Sequence, residues 1–199
     1  MAGHIAPEAG DTGRGAGAVA WHRVDAMGEA RAPVGRMIRP RNGPVGAAAV
    51  RPRVMLVASA GGHWIELSRL SSAFAGCDCR FVSTAPGMTA PVGDAPVQCI
   101  RDSSRDTLPA MVRTAFEIWR IVRRERPEVV VSTGAAPGAI ALVAAKLLGA
   151  RTIWIDSIAN GDELSMSGRA IRPFADLRLT QWEHLTHRYG HLRYFGQIL

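Results

Sequence analysis

Two short apolar runs, each closed by a glycine turn and followed by a helical pattern, limit what this chain can become. The first is Arg53-Val54-Met55-Leu56-Val57-Ala58-Ser59, which breaks at Ala60-Gly61-Gly62 and enters an amphipathic stretch at His63-Trp64. The second is Val129-Val130-Val131-Ser132, which breaks at Thr133-Gly134-Ala135-Ala136 and resumes as a helix at Pro137-Gly138. A run that is apolar at consecutive positions reads as a strand buried on both faces, the habit of parallel sheets covered by helices. Glycines between strand and helix let the backbone approach a ligand and leave free N–H groups at the helix start, a setting suited to phosphate or pyrophosphate.

The same alternation continues to the end of the chain. The pattern predicts strands over about 53–59, 79–84, 97–101, 128–132, 152–155 and 177–181, with a further strand-like run at 193–199. Helices are expected at about 63–75, with Ile65, Leu67, Leu70 and Phe74 among the apolar positions, and at 107–126 and 137–148. The long helix at 107–126 places Leu108, Met111, Val112, Ala115, Trp119 and Val122 on one face. A Pro/Gly-rich loop covers Ala85 to Pro96, and a loop with a short helical piece covers 157–174. Strands alternating with helices specify an α/β fold: a doubly wound, mostly parallel, Rossmann-like sheet. In such sheets ligands bind beyond the carboxyl ends of the strands, where both glycine turns and Asp156 fall.

Residues 1–50 do not share this pattern. They hold 12 Ala, 9 Gly and 4 Pro, half the segment, and alanine buries too little surface to offset an ordering cost of roughly 1–2 kcal/mol per residue. A disordered tail at 1–50 and one folded domain at 52–199 are expected. Charged residues from Arg14 to Arg36 interrupt every apolar stretch, which excludes a signal peptide or membrane span within the tail. The net charge of +7 divides into +2 from residues 1–50 (six Arg, four acids) and +5 from the rest (18 basic, 13 acidic). It fits a solvated surface, or attraction to anionic lipid or a sugar-phosphate. No basic face interleaved with aromatics argues for nucleic acid. Cys77, Cys79 and Cys99 have neither disulfide nor metal spacing and read as reduced, structural thiols.

Several residues could carry chemistry. His63 opens the first helix at the ligand edge, as a general base, a phosphate contact, or simply a capping residue. Thr133, Gly134 and Gly138 either position an anion or let a helix pack closely on the sheet. Asp156 and Asn160 follow the fifth strand; Asp156 either accepts from a substrate hydroxyl or caps the turn at 157–162. Arg113, Arg120, Arg123 and Arg124 flank an apolar arc with Phe116 and Trp119. They are either solvated charge or, with Arg113, Trp119, Arg120 and Arg124 facing outward, an interfacial helix on anionic lipid. His184, His187 and His191 have helical spacing, but only Glu183 stands near to complete a metal set, so they read as surface.

Ala58-Ser59-Ala60-Gly61-Gly62-His63, Ser132 to Gly138, Trp154 to Asn160 and Leu164 to Asp176 together resemble the acceptor half of GT-B glycosyltransferases. The nearest likeness is to the Alg-fourteen-like oligosaccharide-biosynthesis subunits and their bacterial exopolysaccharide counterparts. More distantly, the chain is similar to the N-terminal half of the peptidoglycan lipid-intermediate N-acetylglucosaminyltransferase. The resemblance implies a split, inverting enzyme that moves a sugar from a UDP-sugar to a lipid-diphosphate-linked saccharide. The donor site then lies on a partner chain, and the subunit sits peripherally on the cytoplasmic face of the plasma membrane. By the same likeness Gly61, Gly62 and His63 line the cleft near the acceptor's diphosphate, with Thr133, Gly134 and Gly138 as its second loop. No metal or cofactor is implied. Family members in eukaryotes are anchored by an N-terminal membrane helix, which this tail does not offer. The competing expectations are a non-catalytic scaffold for the donor-binding partner and, more remotely, a dinucleotide-binding oxidoreductase. The last lacks the three-glycine spacing and has Thr84-Ala85 where an acid would close the second strand.

Overall fold

The computed structural model describes Arg23–Val24, Ala30–Arg31 and residues 50–101 and 108–198. The chain divides into two units, Met1–Ala48 and Ala49–Leu199. In the first, β1 (Arg23–Val24) pairs antiparallel with β2 (Ala30–Arg31), and the rest of the expected tail lies outside the described residues.

Among the described residues the second unit holds seven strands: β3 (Arg53–Ala58), β4 (Asp78–Ser83), β5 (Val97–Cys99), β6 (Val129–Ser132), β7 (Arg151–Ile155), β8 (Leu177–Thr180) and β9 (Leu192–Tyr194). They form one sheet in the order β5-β4-β3-β6-β7-β8-β9, every neighbouring pair parallel. The expected doubly wound α/β sheet is therefore the fold. The helices are α1 (Gly62–Leu70), continued by a 3-10 turn (Ser71–Phe74), α2 (Leu108–Glu125), α3 (Ala135–Leu147), α4 (Met166–Ala170) and α5 (His184–Arg188).

The consecutive apolar residues of β3 divide between two cores. Val54, Leu56 and Ala58 pack with Trp64, Leu67 and Phe81 under α1, while Met55 and Val57 pack with Ile118, Val122 and Leu142 under α2 and α3. Both faces are thus covered, which is why the strand carries no polar alternation. Each fully buried Val, Leu, Ile or Phe contributes on the order of 1.5–3 kcal/mol. Helix α3 stops where Gly149 turns to φ +84° and Ala150 N–H donates to Ala145 O at 2.9 Å, a Schellman closure.

Three sequence expectations need correction. On α1, Ile65 is 52 % exposed, whereas Glu66 is 1 % exposed beside Trp64 and Leu67. On α2 the covered residues are Thr114, Ile118, Ile121 and Val122, while Leu108, Met111 and Val112 face solvent. The true core arc is rotated by roughly a quarter turn from the expected one, at 3.6 residues per turn. The final strand is the three-residue β9, and Phe195 to Ile198 run on without strand pairing.

Candidate functional site

The strand order reverses between β3 and β6: from β3 the chain winds toward β5, and from β6 it winds toward β9. At such a switch point the loops after the two strands diverge and leave a crevice. Both glycine turns open there. Gly61 has φ +81°, and Gly61 and Gly62 are exposed with open space where side chains would stand. Neither α1, which starts after Gly61, nor α3, which starts after Gly134, has a side-chain N-cap, so the helix starts on both sides of the switch point keep first-turn N–H groups without a side-chain cap, although Pro137 has none to offer in α3. The first turn is pinned from the side by Ala60 N–H donating to Thr84 Oγ1 at 2.9 Å. Thr84, where an oxidoreductase would need an acid, thus secures the loop.

His63 and Thr133 clasp the turns to each other. The ring Nδ1–H donates to Thr133 O at 3.0 Å, and Thr133 Oγ1 donates to His63 O at 2.7 Å. The carbonyl partner places the proton on Nδ1 and leaves Nε2 for the crevice. Gly134 makes room for the ring: a Cβ there would stand 2.3 Å from His63 Cε1 and 2.4 Å from Nδ1. The next residue, Ala135, holds φ +64°, an uncommon conformation for alanine that concentrates strain at this turn.

Under the histidine lies Glu66, which reading the sequence missed. Its Oε1 accepts from Ser157 Oγ (2.8 Å), Ile158 N–H (2.9 Å) and Gln181 Nε2 (3.3 Å). Its Oε2 stands 3.8 Å from His63 Nδ1 and has no hydrogen-bond partner. The Glu66 carboxylate raises the His63 pKa above its ordinary value, against the lowering effect of burial. Burial alone would push the Glu66 carboxyl up. The His63 ring, Ile158 N–H and Ser157 hydroxyl hold it below its ordinary value. One signal was available: an acid three residues after His63, flanked by Ile65 and Leu67, falls on the same helical face as the histidine.

The remaining expected residues divide. Gly138 sits in the core, where a Cβ would meet Ser132 Oγ at 1.9 Å, so its role there is close helix-on-sheet packing. Asp156 is buried. Its Oδ1 accepts from Ser165 Oγ (2.6 Å) and Trp154 Nε1 (3.3 Å), and its Oδ2 accepts from Ser165 N–H (2.9 Å). Asp156 therefore fastens the start of α4. Asn160 N–H closes a turn on Ser157 O at 3.0 Å. On α2, Phe116 is exposed with the Arg120 guanidinium 5.9 Å over its ring, while Trp119 packs partly against the core. Arg113, Arg120 and Arg124 line an open groove of about 920 Å³ between α2 and β5. His184 and His187 lie on α5 but His191 follows it at φ +61°, so the three do not share a helix face. Among the described residues, no group of three His, Cys, Asp or Glu is arranged to hold a metal ion.

A family model described as "Oligosaccharide biosynthesis protein Alg14 like" matches residues 97–198, just over half of the 199 residues. A relative from Eremothecium gossypii named "UDP-N-acetylglucosamine transferase subunit ALG14" is 34 % identical over 100 residues, covering 44 % of this chain and 45 % of the relative. The chain thus matches about half the length of its curated relatives or less. Among solved structures, Acinetobacter baumannii MurG superposes with a TM-score of 0.56 at 16 % identity, over 72 % of this chain and 45 % of that one. Rickettsia bellii UDP-N-acetylglucosamine 2-epimerase gives 0.59 at 14 %, over 74 % and 45 %. At these identities the structures are similar in fold alone.

Proposed function

The chain belongs to the Alg14-like family of oligosaccharide-biosynthesis proteins, and from that membership we propose that it is the acceptor-side subunit of a split glycosyltransferase. The reaction is transfer of a sugar, N-acetylglucosamine by the name of its relatives, from a UDP-sugar to a lipid-diphosphate-linked saccharide, with inversion at the sugar carbon. A partner chain supplies the donor site. The observation that carries this reading is the β3/β6 switch point, where two helix starts without side-chain caps adjoin His63, whose Nδ1 is engaged by Thr133 O. The N–H groups suit a diphosphate, and His63 Nε2 suits the attacking hydroxyl or an adjacent phosphate oxygen.

Membrane attachment belongs to the same proposal. Among the described residues no helix is long and apolar enough to cross a membrane. Leu108, Met111, Val112 and Phe116 instead make an exposed apolar stripe on α2, flanked by Arg113 and Arg120. An apolar stripe edged with arginine suits peripheral docking on anionic lipid, here at the cytoplasmic face of the plasma membrane.

The test is sugar transfer to a lipid extract from a panel of UDP-sugars, with this chain alone and with its donor-binding partner. Transfer only with both, abolished by His63→Ala while the complex still forms, is the expected result. Transfer by this chain alone would sink the split-enzyme reading. Full activity of His63→Ala would remove His63 from the mechanism and favour a scaffold.

A further inference from the structure

We propose that Glu66 is the positioning residue of His63, holding its ring and stabilising its charged form while Nε2 takes a proton. The inference rests on the reading of the crevice as an acceptor site. Its carrying observation is an asymmetry in the Glu66 carboxylate. Oε1 is held by Ser157, Ile158 and Gln181, donors 91, 92 and 115 residues away. Oε2, equally buried, is left without a partner and points at the ring from 3.8 Å. Proteins seldom strand a buried carboxylate oxygen, because an unpaired buried charge is costly. Here three donors, delivered by the loop after β7 and the residue after β8, keep an ionised oxygen beside the imidazole.

The ring is placed to use it. Nδ1–H lies between two acceptors, Thr133 O at 3.0 Å and Glu66 Oε2 at 3.8 Å. In the neutral ring the carbonyl holds the proton on Nδ1. Once Nε2 is protonated as well, the imidazolium has a carboxylate already in place and already desolvated. During transfer the acceptor oxygen bonds to the sugar carbon as the bond from that carbon to the nucleoside diphosphate breaks. The hydroxyl proton passes to Nε2, the diphosphate leaves with the electron pair, and Glu66 stays ionised throughout. The other ionisable group acting on the ring is Asp156 at the end of β7, whose oxygens are engaged by Ser165 and Trp154. From the β6–α3 turn the ring meets the Thr133 carbonyl and stands over Gly134, neither of which titrates.

The experiment is a pH titration of the His63 ring nitrogens by NMR on the full-length chain, wild type and Glu66→Gln. It is paired with the pH profile of transfer by the two-subunit complex. The wild-type ring is expected to titrate above about 6.5 with its Nδ1 protonated in the neutral form. In Glu66→Gln the ring should titrate lower and the acid limb of kcat/KM should move down with it. In that variant kcat should fall at least about 10-fold with little change in KM. A wild-type ring titrating at or below 6.5 would overturn the proposal without need of any variant. So would an unchanged ring titration in a folded Glu66→Gln. If no transfer is found with any donor, the acceptor-site reading fails while the ring titration still decides whether Glu66 governs His63.

Discussion

Gly134 is the residue on which the His63 clasp depends, because the ring occupies the volume that any other side chain would take. Gly134→Ala also asks alanine to hold φ +147°, so the variant should lose about 1–3 kcal/mol of stability and displace the ring from Thr133 O. Thermal melts and transfer assays would check this: a large loss of transfer with only a modest fall in Tm is expected. Wild-type transfer would show that the clasp is dispensable. His63 and both glycine turns were legible in the sequence, since their signal is local. Glu66 was not, because an acid flanked by Ile65 and Leu67 reads as a solvated position until Ser157 and Gln181 are seen to fold over it.

At the scale of elements, the first six strands of this domain were read within one or two residues, because consecutive apolar residues leave little choice, whereas the last ends at Tyr194, well short of the expected 199. Helix α2 was read in the right place and the wrong rotation. It carries apolar residues on two adjoining arcs, and a period of 3.6 does not say which arc meets the sheet. Ile118→Ala should therefore destabilise the domain by about 2–4 kcal/mol, while Val112→Ala stays within about 0.5 kcal/mol, both measured by urea unfolding. Equal effects would contradict the observed rotation. The exposed arc gives a second prediction: Val112→Glu with Phe116→Glu should reduce sedimentation with anionic vesicles several-fold and leave the urea midpoint almost unchanged. Undiminished vesicle binding would move membrane docking off α2.

For the whole molecule, the His63–Glu66 pair ties the crevice to stability. Glu66 has a lowered pKa, so its contribution is present above about 4.5 and is lost as pH falls through the folded value. His63 has a raised pKa, so its contribution is complete below about 6.5 and is lost as pH rises through the folded value. Between these limits the pair contributes most, and Tm should decline on both sides. His63→Ala should flatten the alkaline decline, read by melts from pH 4 to 9; an unaltered alkaline limb would mean that the pair does not couple to folding. The amino-acid sequence by itself determined the parallel sheet, the two glycine turns and their common edge, since these follow from burial and backbone freedom within a few residues. Only the tertiary structure decided what surrounds His63. Thr133 lies 70 residues away in the chain, and the donors that hold Glu66 lie 91 to 115 away. No local pattern encodes contacts at that separation, because strand order, not spacing along the chain, brings them together.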